Sequence, residues 1–197
     1  KHTLFPETKN ELKQMIEDEI SKHGNECSLN HIDVSEITDM SSLFYYSKFN
    51  GNISEWNVSN VTNMSGMFYA SSFTADISDW DVSKVENMYK MFRESKFNND
   101  ISMWDVSNVT NMKEMFEFSK FNSDISDWNV SNVKDMEYMF RAADFNGNIS
   151  NWDVSSVIDM HGMFENSKFN GNISKWNVSN VIKMEYIFTR SPLENNP

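Results

Sequence analysis

The sequence lacks a second cysteine, a long apolar run and a recognisable signal peptide. Cys27 is the single cysteine, so an internal disulfide is excluded and the redox compartment stays open. No stretch of 18 or more apolar residues occurs, so no membrane-spanning helix is predicted. The chain begins at Lys1 without a signal, and the sequence therefore does not fix its location.

Basic residues are also scarce, because 17 Lys and Arg stand against 29 Asp and Glu and give a net charge of −12. Nonspecific binding to nucleic acid or to an anionic membrane needs clustered Lys and Arg, so the composition disfavours both. The excess of acidic residues is consistent with the solubility of an extended particle. We therefore expect no direct nucleic-acid binding.

Tryptophan, in contrast, recurs at a fixed interval of 24 residues. The six are Trp56, Trp80, Trp104, Trp128, Trp152 and Trp176. Ile32 takes the same place one interval earlier, in a degenerate first copy. Seven units of 24 residues account for roughly 28–195, and such strict spacing predicts a stacked repeat array.

The apolar residues of each unit occupy fixed positions. We number positions from the tryptophan as 0, and residues at one position in successive units form a column. One unit cannot bury its apolar residues alone, so the units must stack. Twelve of the fourteen methionines lie at +8 or +11, which predicts core packing and not a copper site, and the tryptophans likewise predict an internal column. In the second unit the apolar set is Ile53, Trp56, Val58, Val61, Met64, Met67, Phe68 and Phe73.

The apolar spacing changes within each unit. Residues at 0 and +2 alternate with polar neighbours and predict a strand, whereas those at +8, +11 and +12 have the spacing of a short helix. Ser59 and its equivalents precede the helical part and are predicted to cap the backbone N–H groups of the turn that follows. Asn-Gly pairs at 50–51, 146–147 and 170–171 mark tight turns before the next strand.

Residues 8–23 predict an amphipathic helix ahead of the repeats. Thr8 and Glu11 form a capping box, and Gly24 follows as a stop. One helical face carries the apolar residues Leu12, Met15, Ile16 and Ile20. We expect this helix to cover the first unit of the array.

The sequence therefore predicts an α/β repeat solenoid of about seven coils. Strands joined by helices run parallel, and such crossovers are nearly always right-handed. A parallel sheet is expected on one face and short helices on the other. The expected segments are an N-terminal helical cap at 1–27, the solenoid at 28–191 and a C-terminal cap or tail at 192–197.

The unit N-x-I-S-x-W-D/N-V-S-N-V-T-N-M-x-x-M-F-x-x-S-x-F resembles the repeat of the BspA-like leucine-rich-repeat surface proteins, also described in mycoplasma-type lipoproteins. The likeness covers 28–191 in register. It implies a leucine-rich-repeat-like solenoid, bacterial and surface-exposed, that takes part in adhesion or partner binding. Ordinary leucine-rich repeats carry LxxLxLxxN, whereas this unit has Val61 where the Asn would stand.

The remaining residues give little support for a catalytic or a metal-binding site. Asp or Asn follows every tryptophan, and stacked carboxylates could bind Ca²⁺, but the alternation with Asn favours a structural role in turns. The four histidines are scattered, and the serines recur identically in all units, whereas an active site would break the repeat symmetry. We expect no enzyme, no catalytic residue, no metal site and no cofactor.

The columns at which the units disagree are the candidates for binding. These are +9, +10, +13 and +14, which are predicted to point away from the core. All six tyrosines and all three arginines fall there, and both types are enriched at interface hot spots. The predicted site comprises Tyr69, Tyr89, Arg93, Phe118, Tyr138, Arg141, Tyr186 and Arg190. A weaker candidate for self-association is the C-terminal end, where Ile158 and Ile182 replace polar residues.

We therefore expect a non-catalytic bacterial module, at the cell surface or secreted, that binds a protein partner. An acidic intracellular decoy, or an inhibitor of a host or nucleic-acid-binding enzyme, is the alternative suggested by the charge of −12. A calcium-stabilised structural spacer is a weaker alternative.

Overall fold

The computed structural model describes residues 1–195 and consists of a stack of repeats preceded by one helix. We number the coils 1 to 7 in chain order, at 28–51, 52–75, 76–99, 100–123, 124–147, 148–171 and 172–195. This regular 24-residue stacking confirms the solenoid-like array. The right-handed winding stays a prediction, and the end of the predicted tail, 196–197, lies outside the described residues. None of the helices formed by residues 1–195 has the length and apolar character needed to cross a membrane.

Helix α1, Lys9–His23, covers coil 1. Thr8 and Glu11 form the predicted capping box, in which each side chain accepts a hydrogen bond from the backbone of the other. Gly24 ends the helix with φ 84°, and its N–H donates to the Ile20 carbonyl. Leu12 and the neighbouring apolar residue Ile16 are buried in the core cluster that continues into coil 1.

The core is built from columns of identical side chains. In coils 2 to 6 the indole at position 0 is buried, and its Nε1–H donates to the carbonyl at −3 of the preceding coil, as from Trp80 to Ile53 at 3.2 Å. The phenylalanine rings at +12 stack along the axis, with centroids 5.7 Å apart for Phe68 and Phe92. The methionines at +8 and +11 of coils 2 to 6 are buried between these columns, which confirms the core role predicted for Met and Trp.

The predicted parallel sheet is reduced to isolated bridges between coils. Within 1–195 the residues at 0 and +2 form no strand, because the segment folds into turns such as that closed by the Val61 N–H and the Val58 carbonyl. Pairing between coils is limited to single-residue parallel bridges in column +7, which join Asp39, Asn63, Asn87, Asn111, Asp135, Asp159 and Lys183. One more parallel bridge joins Leu4 to Ile32.

The predicted short helices are also absent from the described coils. From +8 to +15 each coil forms successive turns, as where the Met67 N–H donates to the Met64 carbonyl and the Tyr69 N–H to the Gly66 carbonyl. The backbone has positive φ at +10 and at +14 in all seven coils. Glycine meets this requirement at Gly66 and Gly162, but the other twelve positions carry larger residues. Alternation of φ sign is incompatible with a helix.

The alternate N–H groups of this stretch join neighbouring coils. In coils 1 to 6 the N–H groups at +8, +10, +12 and +14 donate to the carbonyls at +7, +9, +11 and +13 of the next coil. Between coils 2 and 3, for example, Phe68 donates to Met91 at 3.0 Å and Ala70 to Arg93 at 2.8 Å. We call these bonds the turn ladder. All of its donors face the C-terminal end of the stack, and all of its acceptors face the N-terminal end.

Side chains of Asn, Asp and Ser fix the corners of each coil. The Asn57 side chain accepts from the Ser59 N–H at 3.2 Å, and equivalent bonds occur in coils 3 to 7. The serine at +3 therefore acts as a backbone donor to an Asx turn. Its hydroxyl, in Ser59, donates to Asn57 as well, so the prediction that it caps the following turn was wrong. Asparagines at +4 form a ladder of their own, as where Asn108 Nδ2 donates to the Ser83 carbonyl at 2.6 Å.

Candidate partner-binding face

The variable columns +9, +10, +13 and +14 share one side of the stack, which we call the turn face. The intervening residues at +8, +11 and +12 enter the core, and the turn ladder holds the backbone of this face from coil to coil. All eight predicted site residues lie on it. Their environments differ, however, since Phe118 and Tyr186 are exposed to 43% and 64% whereas Tyr69, Tyr89, Arg93, Tyr138 and Arg141 are half-buried.

Column +13 carries a continuous row of ion pairs, which we call the ion-pair row. Arg93 Nε lies 2.8 Å from one oxygen of Glu117, and Arg141 Nη1 lies 3.0 Å from the other. Arg141 Nε continues the row to Glu165 at 3.1 Å, and Arg93 Nη1 also contacts Glu114 at 2.8 Å. Arg93 and Arg141, two of the three arginines of the predicted site, thus already have carboxylate partners within the chain, and their first role is structural.

Glu117 is the buried centre of the ion-pair row. Its side chain is almost completely removed from solvent. Burial raises the pKa of Glu117 to about 7, although the guanidinium of Arg93 and a hydrogen bond from Arg141 favour the charged form, and Glu114 beside it raises the pKa further. Removing either arginine would leave this carboxylate with fewer partners. Glu117 therefore couples Arg93 in coil 3 to Arg141 in coil 5.

A tyrosine cluster occupies the N-terminal part of the turn face. The rings of Tyr45, Tyr46 and Tyr69 lie 4.5 to 5.4 Å from one another. The Arg93 guanidinium lies 5.2 Å from the Tyr69 ring, and burial raises the pKa of Tyr69 to about 12. Tyr89 continues the cluster and lines a shallow cleft of about 270 Å³ beside Tyr69. Tyr45 and Tyr46 belong to the same columns as the predicted residues but were left out of the predicted site.

A second aromatic group, which we call the Phe118 group, occupies coils 4 to 7. Arg141 lies over the rings of Phe118 and Tyr138, at 5.6 and 4.9 Å. His161 joins Tyr138 to Tyr186 through edge contacts at 5.1 and 5.4 Å. Sequence reasoning dismissed His161 as scattered, although its place at +9 puts it on the turn face.

Arg190, the eighth predicted residue, stands apart from the Phe118 group. It is exposed near the C-terminal end, and its backbone N–H donates to the Glu194 carboxylate at 3.1 Å. Around it, side chains of coil 7 that belong to core columns are exposed, and Ile158 and Ile182 are exposed to 42% and 75%. The weaker candidate region of the sequence is therefore an apolar surface.

One acidic cluster lies beside the turn face. Oxygens of Asp135, Glu137 and Asp159 lie within 4.8 Å of one another. Lys113 pairs with Glu137, and Lys183 pairs with Asp159 at 2.8 Å, so the cluster is already neutralised in part by the chain itself. The column after the tryptophans is likewise engaged, since its Asn and Asp side chains close Asx turns. We therefore assign no metal to the acidic cluster or to the column after the tryptophans.

Comparison with known proteins identifies one family. The model of the family described as "Mycoplasma protein of unknown function, DUF285" matches residues 10–120 and again 94–197. The two matches overlap at 94–120, as expected where one periodic pattern aligns in more than one register. No curated protein and no solved structure matches the chain.

Proposed function

We propose that this chain, which belongs to the DUF285 family, is a non-catalytic module that binds a protein partner through the turn face. The observation that carries the proposal is the contrast between constant core columns and a turn face where aromatic residues change from coil to coil. The resemblance to BspA-like leucine-rich-repeat surface proteins supports the further proposal that the module acts at the cell surface or after secretion.

The Phe118 group is the proposed centre of the contact. Phe118 is the aromatic ring of the group that combines exposure with a cation held against it, because Arg141 is fixed by Glu117 and Glu165. Aromatic rings and guanidinium groups dominate interface hot spots, and groups that are already ordered lose little conformational entropy on binding. Tyr138 and Tyr186 extend the same surface on both sides of His161.

The substitution Phe118→Asn tests this proposal with little disturbance of the fold. Phe118 has φ 55°, and Asn tolerates positive φ better than other residues with side chains. Arg141→Ala is a poor probe, because it would leave buried Glu117 with one cation fewer. Met103→Asn is the matched control, since Met103 is 87% exposed and lies outside the turn-face columns.

The three proteins are compared by cross-linking to surface-labelled eukaryotic cells, followed by affinity measurement with any captured protein. We expect the unchanged chain and Met103→Asn to capture the same protein, and Phe118→Asn to bind it about tenfold more weakly or worse. Equal capture by all three, or a loss with Met103→Asn alone, would move the site away from the Phe118 group and contradict the proposal.

A further inference from the structure

Coil 7 exposes side chains that every other coil buries. Val178 and Met184 are each 36% exposed, whereas their counterparts in coil 6, Val154 and Met160, are at 1% and 0%. A cavity of about 550 Å³ opens at this end, and its lining includes Trp176. Among residues 1–195 this surface is the cross-section of the core, and no further coil covers it.

The turn ladder is also unfinished at this end. Within residues 1–195 the N–H groups of Met184, Tyr186 and Phe188 have no acceptor, although the equivalent groups of coils 1 to 6 all have one. The fourth donor, the Arg190 N–H, is bonded to the Glu194 carboxylate. Three donors spaced two residues apart therefore border the apolar cavity. An occupant that satisfies both features must supply carbonyls at the same spacing together with apolar side chains.

A coil of this repeat supplies that combination on its N-terminal edge. The carbonyls of Lys183, Glu185 and Ile187 accept from coil 6 at 2.9 Å each, while the apolar residues of coil 7 pack on coil 6. The six junctions of the stack all follow this pattern. The exposed end thus has the shape and the hydrogen-bond polarity that fit an eighth coil.

The corner at the end of coil 7 differs from the corners that lead into a following coil. The N–H at +18 bonds to an Asn side chain of the preceding coil in coils 2, 4, 5 and 6, as from Asn170 to Asn146. In coil 7 the equivalent Glu194 N–H donates to the Ser191 carbonyl instead, and Leu193 closes the corner of the core. This local turn replaces the side-chain contact that accompanies the step from one coil to the next, which favours a coil supplied by another molecule.

A second copy of this chain fits the exposed end poorly. Two coils 7 placed end to end would oppose donors to donors, because all turn-ladder donors face the same way. The complementary carbonyl edge of coil 1 belongs to the end that α1 covers, where Leu12 and Ile16 are buried and Lys9 contacts Ser41. Stacking on that edge would require α1 to be displaced.

We propose that the open end of coil 7 docks a 24-residue coil of the same repeat type carried by a different protein. The docked coil extends the turn ladder by three bonds and fills the cavity with its own Val, Met and Phe columns. The contact lies at the end of the stack and shares with the Phe118 group only Tyr186, through its backbone N–H. Val178 and Phe118 lie in different columns, so each proposal can fail without the other.

A synthetic peptide of residues 148–171 is the probe, because this coil-6 sequence already fulfils the same role on coil 5. Calorimetry with the full chain is expected to show saturable binding at one peptide per chain. Val178→Asp in the protein should weaken binding at least about tenfold, because the charge would be buried in the junction. Met103→Asp is the matched control, and circular dichroism establishes that both variants are folded.

A depsipeptide provides a test that leaves the protein unchanged. Replacing the amide between Met163 and Phe164 of the peptide by an ester weakens the carbonyl that would accept from Phe188 and keeps every side chain. We expect binding about fivefold weaker, as for the loss of one hydrogen bond. No saturable binding of the peptide, equal binding by Val178→Asp, or equal binding of the ester would each overturn the proposal. Sedimentation that shows self-association abolished by Val178→Asp would also overturn it, in favour of a second copy.

Discussion

Coils 1 and 7 are the two ends of one stack and differ in what covers them. Met40 in coil 1 is fully buried, because α1 closes that end, whereas Met184 in the same column is 36% exposed. Both coils have the same apolar pattern at +2, +5, +8 and +12. The burial of a repeat residue is therefore set by its neighbouring coil or cap. Most of the stability of such an array should accordingly reside in the junctions.

The largest expected effect separates these two ends directly. Met40→Ala should lower the free energy of unfolding by about 3 kcal/mol, because it leaves a cavity under α1. Met184→Ala should cost less than about 1 kcal/mol, because that side chain is already partly in water. Urea unfolding of both variants gives the comparison, and equal losses would show that coil 7 is covered in solution.

The next expected effect is a pH dependence of stability that arises from Glu117, in the interior of the stack. Glu117 has a folded pKa of about 7, above its ordinary 4.5, so the folded state binds this proton more tightly than the unfolded state does. Its contribution is greatest below pH 4.5 and is lost as the pH rises to about 7, by on the order of 3 kcal/mol. Glu117→Gln should remove this slope.

Glu185 in coil 7 provides the contrast for that measurement. A backbone hydrogen bond and His161 hold the pKa of Glu185 below its usual value, so its titration lies below the window of Glu117. Glu185→Gln should therefore keep the loss of stability between pH 4.5 and 7. Thermal unfolding across this range decides the point, and an unaltered slope in Glu117→Gln would assign the pH dependence to other groups.

The smallest expected effect is the relief of backbone strain at +14. It should be the same in coil 5 and in coil 7, because it is local to the backbone. Ala142 in coil 5 and Arg190 in coil 7 both lie at +14 with positive φ, which side chains disfavour. Replacing either by Gly should stabilise the fold by about 0.5 kcal/mol, after allowance for the greater freedom of Gly in the unfolded chain. Ala143→Gly is the control and should be destabilising, since Ala143 is buried without positive φ. A gain in coil 5 alone would show that junction packing also controls this strain.

The parts of the structure that follow from periodicity were predictable from the sequence. The 24-residue interval indicated the stack, the in-phase Met, Phe and Trp indicated the core, and Thr8 with Glu11 marked the start of α1. The predictions of a strand and a short helix in each unit were wrong, because apolar spacing alone does not distinguish these elements from a series of turns. Asn57 and Asn63 accept from N–H groups two residues ahead, and such Asx turns compete with both.

Two signals that were not used could have corrected these errors. Columns +10 and +14 contain Gly66 and Gly162 and no Val, Ile or Thr, which is the pattern of a backbone with positive φ. Column +13 alternates as Arg93, Glu117, Arg141 and Glu165, which indicates ion pairs between neighbouring coils. The exposure of individual rings on the turn face could not be foreseen, because it depends on which residues stand in the adjacent coils.

The turn ladder also gives the stack an electrostatic direction. Four peptide dipoles per junction point the same way, and the bonds that run in reverse, as from Thr62 to the Thr38 carbonyl, are fewer. As in a helix, partial positive charge should accumulate at the end with free N–H groups and partial negative charge at the carbonyl end. The chain places Lys9 beside the carbonyl end and Glu194 at the N–H end, each of the sign that such a macrodipole attracts.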